Sequence, residues 1–284
     1  MNKCILHIGS EKTGSTALQH FFNANRENLQ NYYYSKSLGE CNNYLLPLAF
    51  CDNYVLNRDV FDIEHIDLVE NYEVKKREII NSFKIERGNH ANLDWIISSE
   101  HLSSRILKIS SIQKLKKLLH ELGFSEITVS IYFRNIYEYT YSLYYTYLES
   151  GGKAEFIEFI CSSYNIRNSN YYCIYKMWSD VFGRVDVAAY KKEMNIIRHF
   201  VDRYKICFKS EPDIKIYKNT TKINKIENLD KILVKKPANF NSLNYLNYKN
   251  FMSPDVKDLI YSLFYPSLQL LGKSCFGDED IFIT

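Results

Sequence analysis

No uninterrupted apolar run in this 284-residue chain approaches the roughly 18 residues that a bilayer crossing requires. Nor does the start combine a basic segment with a long apolar stretch, so a protein without a secretory signal is expected. Charge of one sign is equally lacking: the net charge of +3 is too small to imply a nucleic-acid partner. The seven cysteines, at 4, 41, 51, 161, 173, 207 and 275, form no C-x-x-C pair and are odd in number. That excludes an obvious disulfide framework and fits a reduced, cytoplasmic compartment, in which the Asn219-Thr220-Thr221 sequon is incidental. His20, His65, His90, His120 and His199 fall at no spacing that suggests a metal site, and no metal is expected. Internal repeats, low-complexity tracts and domain linkers are absent too, so residues 1–284 are expected to form a single domain.

What the chain does have is enough apolar residue for a full core, 46% against 24% charged, and one distinctive stretch at its start. Cys4, Ile5, Leu6 and Ile8 read as a short buried strand. Gly9 to Gly14 bracket a polar turn, and from Ser15 a helical pattern begins with Ala17, Leu18, Phe21 and Phe22. A helix starting at Ser15 or Thr16 aims unpaired N–H groups and the positive end of its dipole at the loop, which makes an anion the natural occupant. Gly14 permits close backbone approach, while Lys12, Thr13, Ser15 and Thr16 supply one cation and three hydroxyls. The spacing is near that of a Walker A loop, but Ser15 stands where such a loop carries lysine; the lysine lies earlier, at 12.

Further along, helices are expected over 15–30, 64–87, 110–122 (closed by Gly123), 137–150, 156–164, 171–182 and 192–204, with the end of the chain helical to about Leu271. Strands are expected over Asp94 to Glu100, with a polar end, and at Ile127 to Phe133 and Val185 to Tyr190. Residues 31–50 read as an irregular loop and 209–228 as a loop or lid. Strands alternating with helices predict an α/β fold of three layers, a central parallel sheet flanked by helices. In such folds ligands gather at the carboxyl ends of the strands. Three of those ends carry polar chemistry: the loop 9–16, Ser98-Ser99-Glu100-His101, and Arg134. Arg134 is followed, after a helix-capping Asn135, by Ser142 roughly two turns in; an arginine fork with a hydroxyl makes a phosphate clamp. The alternative for Arg134 is a pairing with a nearby carboxylate.

The Lys-Thr-Gly-Ser-Thr string at 12–16 resembles the 5′-phosphosulfate loop of PAPS-dependent sulfotransferases of the bacterial carbohydrate type. The spacing of Arg134 and Ser142 after a strand is similar to the 3′-phosphate site of that family. Trp178, Phe182 and Gly183 before a strand, and Asn219-Thr220-Thr221, look like weaker family features, so the likeness covers about residues 3–225 in outline. It implies a P-loop-like fold, PAPS as sulfuryl donor without a metal, and a small-molecule or glycan acceptor. Lys12, Thr13, Gly14, Ser15, Thr16, Arg134 and Ser142 would bind the cofactor. Lys12 would also neutralise the leaving phosphate, with Glu100 or His101 as the base that takes the acceptor's proton. Glu100 is preferred, because along an extended end only one of two neighbours points inward. Its alternatives are to cap the next turn or to pair with Lys12 or Arg134. His7, inside the first strand, reads as a core histidine. Tyr32, Tyr33, Tyr34, Asn42 and Asn43 are candidates for lining the acceptor pocket, and each tyrosine has a packing role as its alternative.

Two other functions fit parts of the pattern. A P-loop kinase or NTPase would use Glu100 to hold Mg²⁺, although Ser15 stands against it. A nucleotide-binding module without catalysis would turn Glu100 and His101 away from the crevice.

Overall fold

The computed structural model describes residues 2–51, 69–214 and 252–283. They fall into two compact units: one holds the described residues up to Phe133 and those from Ile174, and the other runs from Arg134 to Cys173 and takes the C-terminal segment.

The first unit is built on a five-stranded parallel sheet with flanking helices, as the alternation of strands and helices predicts. Strand β1 (Asn2–His7) lies at its centre. Around it stand β2 (Tyr32–Tyr34), β3 (Asp94–Ser98), β4 (Phe124–Arg134) and β5 (Val185–Tyr190), in the order β2-β3-β1-β4-β5. Leu6 is in register with Ile97 of β3 on one side and Val129 of β4 on the other. Cys4, Ile5 and Leu6 are all buried, as a strand covered on both faces requires. From β1 the chain moves outward to β2, returns through β3, and crosses to β4 on β1's far side. The strand order therefore reverses at β1, the switch point where α/β sheets open a crevice at their carboxyl ends.

Helix α1 (Ser15–Ala24) covers one face of the sheet. Its Leu18, Phe21 and Phe22 meet Ile5, Ile96 and Tyr132 from the strands and Ile197 and Phe200 from the last helix of this unit, Ile196–Tyr204. Each such apolar side chain contributes about 1.5–3 kcal/mol on burial. On the other face the long helix Val69–Asn89 sets Phe83 against Trp95, with ring centroids 5.6 Å apart. Trp178 and Phe182, near the end of the helix Tyr171–Phe182, stack at 5.8 Å just before β5.

Several boundaries differ from the sequence expectation, each for a local reason. Residues 31–50 are not wholly irregular. Tyr32–Tyr34 pairs with Asp94–Ile96 as an edge strand too short to show a period, and Leu45–Phe50 is a short helix. The helix expected over 15–30 stops at Ala24, where both the backbone and the side-chain amide of Asn25 donate back to the Phe21 carbonyl. A single 3-10 turn, Arg26–Asn28, follows. The helix expected over 156–164 is two, because the Ser162 hydroxyl accepts from Asn165 N and starts a new one at Ser163. The helix expected from 192 begins at Ile196, capped by Asn195. The stretches 64–68 and 215–228, His65 and the sequon at 219–221 lie outside the described residues.

In the second unit, the helices Ile136–Glu149, Phe156–Ile160 and Ser163–Ser169 gather with the C-terminal helix Pro254–Phe276. Tyr144 packs on Phe156 and Phe159, Tyr171 packs on Tyr139 and Phe282, and Ile136 N donates to the Phe282 carbonyl. Among the described residues no helix is long and apolar enough to cross a membrane.

Candidate active site

β1 ends at His7, and the next residues turn out of the sheet while its hydrogen bonding continues for one more step: Ile8 N donates to the Ser130 carbonyl and Ser99 N to the His7 carbonyl. His7 is a core residue, as expected. Its Nδ1 lies 2.8 Å from Ser98 Oγ, its ring meets Tyr132 and Phe200 edge-on, and burial lowers its pKa to about 4, which keeps it neutral.

The loop that follows doubles back on the carbonyl of Ser10, which accepts from Thr13 Oγ1 at 2.6 Å and lies 3.5 Å from Ser15 Oγ. Gly9 (φ +54) and Gly14 (φ +85) both sit in the left-handed region, and so does Lys12 at φ 64. Gly14 is the N-cap of α1 and has no side chain with which to close it. Ala17 N and Leu18 N donate to the Gly14 carbonyl, so the amides of Ser15 and Thr16 stand at the open end of the helix. A Cβ on Gly14 would come within 3.2 Å of Ile196 and 3.4 Å of Tyr190, so the glycine lets the loop settle against the end of β5.

The end of β3 meets the same loop. A Cβ on Gly9 would lie 2.9 Å from Glu100 Cα, and Ser103 Oγ donates to the Gly9 carbonyl at 2.5 Å. The Glu100 carboxylate is held by neutral amides: Gln19 Nε2 donates to its Oε2 at 2.6 Å and Asn42 Nδ2 to the same oxygen at 3.3 Å. The Glu100 carboxylate is thus hydrogen-bonded by two side-chain amides, where the sequence left Lys12 or Arg134 open as partners. His101 opens the short helix His101–Arg105, and its Nε2 lies 3.3 Å from an Arg105 guanidinium nitrogen. The backbone and Cβ of Glu100 lie directly against Gly9 of the loop.

Asn43 and the tyrosines serve the framework. Asn43 exchanges two hydrogen bonds with the backbone of Ser98. Tyr34 is wholly buried and its hydroxyl donates to the Cys41 carbonyl. Tyr33 stacks on His90 at 3.8 Å and donates to Glu86, and Tyr32 packs against the core beneath α1. Of the residues expected to line an acceptor pocket, Asn42 alone reaches Glu100. Gln19 escaped the sequence reading. The signal for it was a glutamine within the apolar helical pattern of Ala17, Leu18, Phe21 and Phe22, and in the structure it is buried with them.

In the second unit, Arg134 closes β4 with a guanidinium almost fully enclosed. Its Nε donates to Glu138 Oε2 at 2.7 Å and a terminal nitrogen reaches the same oxygen at 2.6 Å, the carboxylate pairing that stood as the alternative to a phosphate clamp. Asn135 caps the next helix as expected, its Oδ1 accepting from Tyr137 N and Glu138 N. Ser142 is half-buried two turns along, and its carbonyl accepts from Thr146 Oγ1.

No family model and no curated protein matches the chain. Among solved structures, the crystal structure of a sulfotransferase from Alicyclobacillus acidocaldarius superimposes on it with a TM-score of 0.53 at 13% sequence identity, covering 96% of this chain and 95% of that one. At that identity the likeness concerns the fold: the α/β architecture with a parallel sheet is that of the neighbour.

Proposed function

We propose that the protein is a sulfotransferase that moves the sulfuryl group of PAPS to a hydroxyl or amine of an acceptor, a carbohydrate being the class favoured by the sequence resemblance. The observation that carries the reading is the uncapped N-terminus of α1 behind a loop with two left-handed glycines and Lys12, packed against Glu100. A phosphosulfate suits this cradle. The open amides of Ser15 and Thr16 and the helix dipole favour an anion, and the glycines allow the backbone to approach it. The fold of the superimposed sulfotransferase supports the same reading. Seven cysteines, all free, suit work in a reducing compartment such as the cytoplasm.

When bound, PAPS supplies an activated sulfuryl group whose transfer leaves a phosphate. In the proposed mechanism Lys12, with Thr13, Ser15, Thr16 and the loop amides, stabilises the negative charge that grows on that phosphate. Glu100 accepts the proton of the attacking acceptor group, and His101 is the alternative base. Arg134 and Ser142 are proposed to bind the 3′-phosphate of PAPS, for which the Arg134 guanidinium must exchange Glu138 for phosphate. Ser15 in place of a Walker lysine, and a Glu100 held by two amides, weigh against a kinase or NTPase that would use Glu100 for Mg²⁺.

Calorimetric titration with 3′,5′-diphosphoadenosine (PAP), beside ATP with Mg²⁺ and repeated on Arg134→Ala, tests the reading. Tight metal-independent binding of PAP that needs Arg134 is the expected result. A preference for ATP with Mg²⁺ would overturn it.

A further inference from the structure

Glu100 is a carboxylate whose two oxygens have unlike surroundings. Both donors found for it, Gln19 Nε2 and Asn42 Nδ2, fall on Oε2. Gln19 is itself fixed. It lies on α1 one turn past the cradle residue Ser15, is 2% exposed, and its amide also lies 3.5 Å from the Ser98 carbonyl at the end of β3. A buried amide on an apolar helix face carries a desolvation cost, which its bonds to Glu100 and Ser98 offset. Asn42 comes from a different part of the chain, next to Asn43, whose backbone pairs with Ser98. Two amides from different parts of the chain thus grip one oxygen of a side chain that already abuts Gly9.

We infer that Gln19 and Asn42 are positioning residues for Glu100: they hold Oε2 so that Oε1 is the oxygen presented to the acceptor's proton. The inference rests on the sulfotransferase reading above. Neutral donors suit the task, since they orient a carboxylate without placing a second cation beside Lys12. A base free to rotate about its last torsion would spend much of its time out of line, and misplacement by about 1 Å is felt at roughly 100-fold in rate.

The test compares wild type with Gln19→Met, which keeps the length and removes the donor, with Asn42→Ala on a half-buried side chain, with Glu100→Gln, and with the double variant Gln19→Met/Glu100→Gln. PAP affinity is measured by calorimetry, and release of PAP from PAPS is followed with 4-nitrophenyl glycosides as acceptors. Gln19→Met is expected to lower kcat by about 10-fold to 100-fold, with PAP affinity and the KM for PAPS unchanged. Asn42→Ala is expected to act in the same direction more weakly. The double variant should be no slower than Glu100→Gln alone, because a positioning residue has nothing left to position. Wild-type kcat in Gln19→Met, or losses that multiply in the double variant, would overturn the inference while the sulfotransferase reading stood. If Gln19→Met fails to fold, unchanged kcat in Asn42→Ala overturns it instead. A wild-type protein that neither binds PAP nor consumes PAPS removes the parent reading and this one with it.

Discussion

Gly9 and Glu100 are packed so closely that a single methyl group could not fit between them: a Cβ on Gly9 would stand 2.9 Å from Glu100 Cα and 3.0 Å from its Cβ. The loop after β1 and the carboxylate after β3 are therefore one mechanical unit.

Gly9→Ala is accordingly predicted to cost stability and turnover together. The φ of +54 is strained for alanine and the facing atom is backbone, so a loss of about 1–3 kcal/mol is expected. Urea unfolding measures the first effect and kcat the second. A variant with wild-type stability and rate would show that the loop has room to move away.

Lys12→Ala is predicted to weaken PAP binding by the roughly 1.5–3 kcal/mol of a charge-assisted hydrogen bond, or about 10–100-fold in Kd. Because Lys12 has a left-handed backbone, Lys12→Gly is the cleaner control: it removes the ammonium and keeps the conformation easy. Ordinary PAPS use in both variants would sink the role given to Lys12.

Arg134→Ala should likewise impair PAP binding sharply. Its partner supplies a test of opposite sign. Glu138 engages the guanidinium through one carboxylate oxygen, so a phosphate must compete with it. Glu138→Gln is predicted to tighten PAP binding in calorimetry. Weaker binding would mean that Glu138 orients Arg134 for its ligand and does not compete with it.

Acid should loosen the anchor that Glu86 provides. Burial alone would push its carboxyl pKa up. The hydroxyls of Ser35 and Ser37, the amide of Lys36 and the Tyr33 hydroxyl outweigh that and hold it below the usual range. A lowered folded-state pKa stabilises the fold above the unfolded value of about 4.3, and that stability is lost as pH falls through the folded pKa. Glu86→Gln is expected to cost about 1–3 kcal/mol at neutral pH and to flatten the acid limb of a plot of Tm against pH. An unchanged acid limb would show that other groups govern acid unfolding.

Asn135→Ala removes the side-chain cap of the helix Ile136–Glu149 and should cost about 1 kcal/mol in urea unfolding. If Arg134 and Ser142 act on the cofactor, PAP affinity should fall as well, because the cap sets the direction in which Ser142 is carried.

The α/β class, four of the five strands and the loop at 9–16 were legible in the sequence because each depends on neighbours along the chain. Continuous apolar residues make buried strands, glycines mark left-handed turns, and Asn135 caps the helix that it precedes. Helix ends were legible where a glycine such as Gly123 or the cap Asn135 announced them; Asn25, Ser162 and Asn195 end or begin helices inside stretches whose apolar pattern runs on.

The tertiary structure alone decided which side chains meet. The edge strand Tyr32–Tyr34 exists because β3 offers it hydrogen bonds, and its tyrosines are spent on Glu86, Cys41 and the core. Gln19 and Asn42 converge on Glu100 across separations of 81 and 58 residues. No local pattern encodes such pairings. A hydrogen bond fixes two atoms within about 3 Å, whereas sequence periodicity states only which face of an element is apolar. Local sequence set a glycine-bounded loop between the first strand and α1; the packing of Gly9 against Glu100 set a carboxylate, held by two amides, beside that loop.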